Sequence, residues 1–490
     1  MKIITSIFLF FLAFNKAYGQ SGSFPRLTPE AKAVEYHHIG RRNNGYSWTE
    51  LAQISLWASG DSSSANYEKI RAAAHAINNS ADLPSSKKEK AEFILTFLHS
   101  NILKSYSLNQ TRVDTIFTNG RYNCVSSAVL YMILCDAMGI ETSGVITRDH
   151  AFVTVHIDRE DIDVETTNRY GFDPGNRKEF HDHFGTLTGF TYVPARNYRD
   201  RQTISRIELV SLILNNRISE YERQNLFSQA VPLAVDKTVL LLGESLAVNL
   251  SHHSGGTIFE APIKYLMDRL FNYGAWLLKA GREEDCLRWA ETASLKYPDA
   301  ARWQEFTMAA VNNRTARYIR ENKTADARNF LENYRNVLTN ADYAQLDSAL
   351  TDAELLRRAN QISTAAEGDA VISAVERAHG KIGEKRALEL RTFAIQKTAA
   401  ILCASPARDW RAAIQYIEKY LDAFGGNRDL EQALRTYQNN LAVDYHNRFA
   451  AEWNKRNYSE AERILNEGLA EFPHDRNLLS DRETVNRQRR

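Results

Sequence analysis

The sequence predicts an α+β domain followed by an all-α helical-repeat half, and three features of the chain predict it. A helical apolar pattern over Val125–Met138 comes first, and three short segments follow it: Thr142–Thr147, His150–Ile157 and Ile162–Thr166. These segments are rich in β-branched residues and alternate at period two, so they read as strands, and a helix leading into antiparallel strands is α+β organisation. From Arg206 onward nothing alternates at period two; amphipathic helices of about 12–16 residues succeed one another through short polar turns.

The chain has 490 residues, which at about 150 residues per domain gives a prior of about three domains. An apolar fraction of 43%, 10% aromatics and only 10 prolines describe a chain that is globular throughout. Formal net charge is +1, from 61 basic and 60 acidic residues. No one-sign field of that kind holds nucleic acid, so no nucleic-acid partner is expected.

At the N-terminus Lys2 precedes an apolar run from Ile3 to Phe14, and Ala17-Tyr18-Gly19 supplies small residues where a signal peptidase reads. Residues 1–19 are expected to be a signal peptide cleaved after Gly19, because the run is shorter than the roughly 20 apolar residues of a membrane anchor. No cysteine precedes Cys124, so no lipid-modified cysteine is expected at the mature end. No later stretch reads as an integral membrane span. The expected product is exported, periplasmic or extracellular, and soluble after signal-peptide removal.

Thr28-Pro29-Glu30 reads as a capping residue before a first-turn proline, and Ser85-Ser86 precedes the amphipathic run Ala91–Leu98. Residues 20–84 are therefore expected to be helical and to pack on the next domain, which spans 85–205. The helix over Val125–Met138 is apolar enough to be largely buried and is stopped by Gly139. Gly171-Phe172-Asp173-Pro174-Gly175 is a turn signal, and the segment to about Thr203 reads as irregular, with Tyr192 and Tyr198 available to a cleft. The pattern changes near Ser205, and 206–490 form the helical half.

Four cysteines in an exported chain suggest disulfides, but Cys124 and Cys135 fall on one helix. Eleven residues at about 1.5 Å each leave them about 16 Å apart, beyond the bridging limit of about 7 Å. A bridge between Cys286 and Cys403 remains open. Cys124 is expected to be a free thiol.

Chemistry is concentrated around that thiol. Gly120-Arg121-Tyr122-Asn123-Cys124 puts a cysteine where a loop ends and a buried helix starts, a position whose dipole and free N–H groups favour a thiolate. The Cys124 N–H is also placed to meet a developing oxyanion; the sequence identifies no second donor. Cys135 lies near the opposite end of the helix, where the dipole disfavours a thiolate, and reads as core. A cysteine that merely starts a helix is commonly structural, and a lone histidine is commonly a satisfied surface or core residue. Together with a carboxylate, however, they make a nucleophile, a base and an orienting group. His150 begins one strand, and the next carries Asp163 and Glu165, two apart and therefore on one face. Either can accept the imidazole N–H. His156, six residues beyond His150, is about 20 Å away at strand rise and too far for the same site. His181-Asp182-His183 lacks the spacing of a zinc motif and reads as a solvated loop, and no glycine-rich phosphate loop follows a strand; neither metal nor cofactor is expected.

The cysteine at a helix start, Leu134-Cys135-Asp136-Ala137-Met138-Gly139-Ile140 closing that helix, His150-Ala151-Phe152, and Val164-Glu165-Thr166-Thr167 resemble the transglutaminase-like superfamily of papain-type cysteine enzymes. The resemblance covers residues 85–200. It implies Cys124 as nucleophile, His150 as general base and later acid, and Glu165 as orienting carboxylate, with Asp163 the alternative third member. Members typically carry tryptophan where Phe152 stands and aspartate where Glu165 stands; the longer glutamate still reaches the imidazole.

In the second half, Gly274, Gly281, Cys286, Ala290, Ala293 and Pro298, and again Tyr458, Ala461, Leu465, Gly468 and Pro473, resemble the tetratricopeptide repeat, with small residues where two helices cross and a proline after the second. Weaker copies carry Ala327 and Leu331, and Trp410, Ala413, Ile417 and Tyr420. Their spacing of about 40–50 residues exceeds the usual 34, and an irregular helical bundle is the alternative. Three functional readings follow: a secreted cysteine hydrolase of peptide or amide bonds with a partner-binding repeat region, a transamidase using the same residues, and an inactive module whose repeats bind protein. The expected partners are a protein or peptide substrate and a protein on the repeats.

Overall fold

Local capping and apolar stripes build the described residues into helices, a two-stranded sheet and a four-stranded one. The computed structural model describes residues 24–176, 180, 201–244, 262–404 and 408–489. The expected signal peptide, the His181-Asp182-His183 cluster, and Tyr192 and Tyr198 lie outside the described residues. Those described are predominantly helical with a small antiparallel sheet, an α+β arrangement.

Helices α1 (Ala31–Asn43), α2 (Trp48–Ser59), α3 (Ser64–Asn78) and α4 (Lys87–Asn101) come first. Ser47 and Glu50 form a reciprocal capping box on α2, and the Ser86 hydroxyl accepts the Glu89 N–H on α4. Helix α1 corrects the expected cap. The Glu30 N–H donates to the buried Asp236 carboxylate at 2.7 Å, which holds Glu30 extended; the helix starts after it, with Pro29 outside the first turn.

Helix α5 (Val113–Asn119) ends at Gly120, whose φ of +71° closes the turn. The two-residue strands β1 (Ser105–Tyr106) and β2 (Arg121–Tyr122) pair in parallel and lead into α6 (Cys124–Ala137). Every residue of α6 from Cys124 to Cys135 is buried, as an all-round apolar helix must be. It packs against α2, α4 and α5 and against β3 (Glu141–Ile146) and β4 (Ala151–Ile157).

The sheet is completed by β5 (Glu160–Val164) and β6 (Gln202–Ile204), in the order β5-β4-β3-β6, antiparallel throughout. Asp158 and Arg159 join β4 to β5 with φ of +49° and +79°, the positive pair that a two-residue type I′ hairpin requires. Two strand ends differ from the alternation pattern. Thr147 N–H donates to His150 O at 2.9 Å, making His150 the last residue of the β3–β4 turn, and Glu165 falls one residue past β5, where its N–H turns to Gly171 O at 2.7 Å. Both functional candidates therefore sit at strand ends, where side chains are free to leave the pleat.

After Ser205, which caps α7 (Arg206–Arg223) with Glu208, the described residues form helices and short connections with no further strand. The compact unit does not end there. Helix α7 packs on α2, α6 and β3, α8 (Phe227–Leu242) packs on α1 and α7, and α9 (Pro262–Lys279) packs on α8 and α10 (Glu283–Lys296). The first unit runs to Trp303 and the second starts at Gln304, so the change near Ser205 is one of element type within a unit.

In the second unit, which begins within α11 (Ala300–Arg320), successive helices pack in sequence order from α12 (Thr324–Asn333) through α13 (Asn340–Asn360), α14 (Ala365–Ile382), α15 (Glu384–Leu402), α16 (Trp410–Phe424), α17 (Arg428–Asn454), α18 (Tyr458–Glu471) and α19 (Arg476–Gln488). Small residues mark the crossings: a Cβ on Gly468 would lie 3.0 Å from Tyr445 Cβ, and one on Gly368 2.1 Å from Thr398 Oγ1. All four cysteines are free thiols, so the Cys286–Cys403 bridge is not formed. Among the described residues no helix is long and apolar enough to cross a membrane.

Candidate active site

The site starts from one cap. Asn123 is the N-cap of α6: its Oδ1 accepts the Val125 and Ser126 N–H groups at 3.0 Å each, while Ser126 Oγ accepts the Asn123 N–H at 3.0 Å. Cys124 is thus the first helical residue, 8% exposed, and its own N–H has no acceptor among the described residues. Asn123 Nδ2 donates to Leu108 O at 3.1 Å and Ser126 Oγ to Gln110 O at 2.9 Å, tying the 107–110 loop to the helix start.

His150 and Glu165 meet across the sheet. Continuing the β4–β5 register past Val153↔Val164 sets Phe152 opposite Glu165, with His150 on the same face as Phe152. The imidazole Nε2 lies 2.6 Å from Glu165 Oε2, with side chains 8% and 2% exposed. The other carboxylate oxygen accepts Thr167 Oγ1–H at 2.8 Å and the Thr167 N–H at 3.3 Å, which fixes the carboxylate plane. The ring stacks on Phe152 at 6.2 Å, and the Cys124 thiol shares the cleft with it and interacts with it electrostatically. Burial alone would lower the imidazole, but the Glu165 carboxylate, with its hydrogen bond and its charge, and the neighbouring Cys124 outweigh it and hold the ring protonated well above its ordinary range.

Asp163 is placed elsewhere. Arg201 grips it with both terminal nitrogens, at 2.6 and 2.7 Å, and Thr154 Oγ1 donates to it at 2.8 Å. The structure therefore brings together Cys124, His150 and Glu165. His156, at the far end of β4, bonds Asp161 and Ser143, and Cys135 is core, its thiol pushed up to about 12 by burial.

The pair opens on a cleft of about 590 Å³ lined by Cys124, His150, Ile146, Arg148, Asn215 and Asn216 among others. Asn215 and Asn216 come from α7, beyond the change of sequence pattern, which hid the contribution of that helix. His99 and Tyr122 carry no spacing signal in the sequence either. His99 Nε2–H donates to Thr166 O at 3.1 Å and Tyr122 O–H to Thr167 O at 3.1 Å, so two rings clamp the backbone just after Glu165. Thr166 Oγ1 also shares a 2.8 Å hydrogen bond with Ser127 Oγ on α6.

His99 carries a pH prediction. Burial lowers its pKa to about 4. It is neutral when folded but titrates near 6.5 when unfolded, so its stability contribution is full above about pH 6.5 and is lost as pH falls towards 4. The linkage amounts to about 3 kcal/mol. Urea unfolding between pH 7 and pH 4 is expected to show the wild type losing that much more than His99→Gln; equal losses would refute the assignment.

Among the described residues no group of three or more histidine, cysteine or acidic side chains is arranged to hold a metal. No family model and no curated protein matches the sequence.

Proposed function

We propose that the chain is an exported cysteine hydrolase of peptide or amide bonds, transglutaminase-like over residues 85–205 and carrying tetratricopeptide-like helices that bind a protein partner. The observation that carries this reading is the 2.6 Å His150–Glu165 contact beside a cysteine at the first position of a capped, buried helix. In the reaction, Cys124 Sγ attacks the carbonyl carbon and the carbonyl π pair moves to oxygen. Collapse of that adduct breaks the C–N bond, the leaving amine takes its proton from His150, and a thioester remains. Water then attacks the thioester, gives its proton to His150, and expels the thiolate. An amine in place of water gives transamidation by the same steps. Glu165 keeps the imidazole in one orientation and stabilises it when charged. The repeat reading rests on buried Ala461, Leu465 and Gly468 and on Cys286, Ala290 and Ala293, each set on one helix face.

The test is the pH dependence of iodoacetamide labelling of the mature protein, with mass spectrometry to locate the label. Cys124 is expected to react well below pH 8, where an ordinary thiol of pKa about 8.5 is mostly protonated, and to lose that low-pH reactivity in His150→Ala. An inert Cys124, or one indifferent to His150, would leave the inactive partner-binding reading in its place.

A further inference from the structure

Tyr106, like Asn215 in the cleft wall, carries a buried polar atom without a partner among the described residues; Asn215 Oδ1 can only accept, whereas the Tyr106 hydroxyl can donate and the mechanism above does not use it. Its position follows from the β1–β2 pair, in which Tyr106 stands opposite Tyr122, two residues before Cys124. Flanking bonds from Ser105 N–H to Gly120 O at 3.2 Å and from Ser107 N–H to Tyr122 O at 2.8 Å lock that register. The two rings meet edge to face with centroids 6.0 Å apart. Tyr122 commits its hydroxyl to Thr167 O. The Tyr106 hydroxyl is buried and has no hydrogen-bond partner among the described residues.

A buried hydroxyl without a partner costs about 1–3 kcal/mol, and a phenylalanine would fill the same space without that cost. Such a hydroxyl at an acyl-transfer site has a use when its partner exists only during the reaction. The surroundings keep the proton in place: burial, and then the negative charge that Cys124 and Glu165 can carry, raise the phenol far above its ordinary range. The hydroxyl is therefore a donor at every working pH. No hydrogen bond joins it to the ground-state thiol.

We propose that the Tyr106 hydroxyl is the second oxyanion donor of the site, acting with the unengaged Cys124 N–H when the carbonyl oxygen becomes charged; this rests on Cys124 being the nucleophile. Attack of Sγ on the carbonyl carbon moves the π pair to oxygen, both donors bond that oxygen, and collapse restores C=O as the leaving group departs with the electron pair. Gln110 lines the cleft of Cys124 and His150, whose lining does not include Tyr106, and is the competing donor.

The experiment compares two reactions of the same thiol. Acylation by p-nitrophenyl acetate, read as the p-nitrophenolate burst, passes through an oxyanion; alkylation by iodoacetamide is displacement at carbon and forms none. Tyr106→Phe is expected to slow the burst by about 10²-fold, the usual effect of losing one oxyanion donor, with alkylation within about two-fold. Its melting temperature is expected to equal or exceed that of the wild type, since an unsatisfied group is removed. Gln110→Ala is expected to leave the burst unchanged. An unchanged burst in Tyr106→Phe overturns the proposal, as does a parallel fall in both reactions, which would put the hydroxyl on the thiolate. A lower melting temperature, or a slowed burst in Gln110→Ala alone, overturns it too. A wild-type Cys124 that reacts with neither reagent overturns the nucleophile reading itself, and the donor assignment with it.

Discussion

Replacing His150 by alanine is expected to slow acylation of Cys124 by about 10³-fold, within the range of losing a positioned proton-transfer group. The imidazole has two roles that fail together: its charge favours the thiolate, and its proton is what an amine leaving group needs. A stability loss of about 3 kcal/mol is expected as well, because Glu165 is 2% exposed and would keep only Thr167 as a partner. That loss depends on pH in a definite sense. The His150 pKa is raised by folding, so its contribution is fully present below the unfolded value near 6.5 and disappears as pH rises through the folded value. Urea unfolding is therefore expected to separate wild type from His150→Ala at pH 6 and to bring them together in strong alkali. Equal stability at pH 6 would mean that the pair adds nothing to the fold.

Glu165→Gln tests the other partner with less disturbance. A glutamine keeps the volume and can keep the Thr167 bonds, but it removes the charge that outweighs burial of the imidazole. Acylation is expected to fall by roughly 10²-fold or more, with low-pH alkylation lost in parallel, because both depend on the charged ring.

What could be read from the sequence was local. Helix α6 announces itself by its apolar run and Gly139, whose φ of +68° ends it. The β3–β5 strands announce themselves by β-branched alternation, which also puts Asp163 and Glu165 on one face, while the register of β4 on β5 is what brings His150 to that face. Which carboxylate serves the imidazole is decided by Arg201, 38 residues beyond Asp163, and no local pattern reports that pairing. Likewise Pro29 reads as a helix start until Asp236, 206 residues beyond Glu30, takes the Glu30 N–H. The α7 wall of the cleft, the His99 and Tyr122 clamp and the Tyr106 hydroxyl arise from docking of distant elements; a lone histidine or tyrosine carries no spacing signal. The division at Trp303 escapes the sequence for the same reason: α7 and α8 have helical periodicity whether they pack on the sheet or on further repeats.

The turn after β5 gives the sharpest test of how backbone geometry sets the site. Between Glu165 and Gly171 the chain doubles back, with Glu165 N–H to Gly171 O at 2.7 Å, Gly171 N–H to Asn168 O at 3.0 Å and Asn168 N–H to Glu165 O at 3.3 Å. Gly171 is buried where a Cβ would stand 1.9 Å from the Glu165 carbonyl oxygen and 2.8 Å from its carbon. Both contacts are with backbone, so nothing flexible can swing aside, and Gly171→Ala must push the Glu165 main chain away by about 1 Å or more to reach ordinary contact. A displacement of that size at a reacting constellation costs about 10²-fold in rate, and overpacking with lost turn bonds is expected to cost about 3 kcal/mol in stability. Gly175→Ala is the matched control: it is exposed a few residues on, its Cβ meets nothing within 4 Å, and it is expected to be silent in both measurements. If Gly171→Ala unfolds at the wild-type urea midpoint and labels Cys124 at the wild-type rate, the carboxylate is not held by this turn. If it loses both while Gly175→Ala loses neither, a residue that touches no reacting atom governs the site through the carbonyl it abuts.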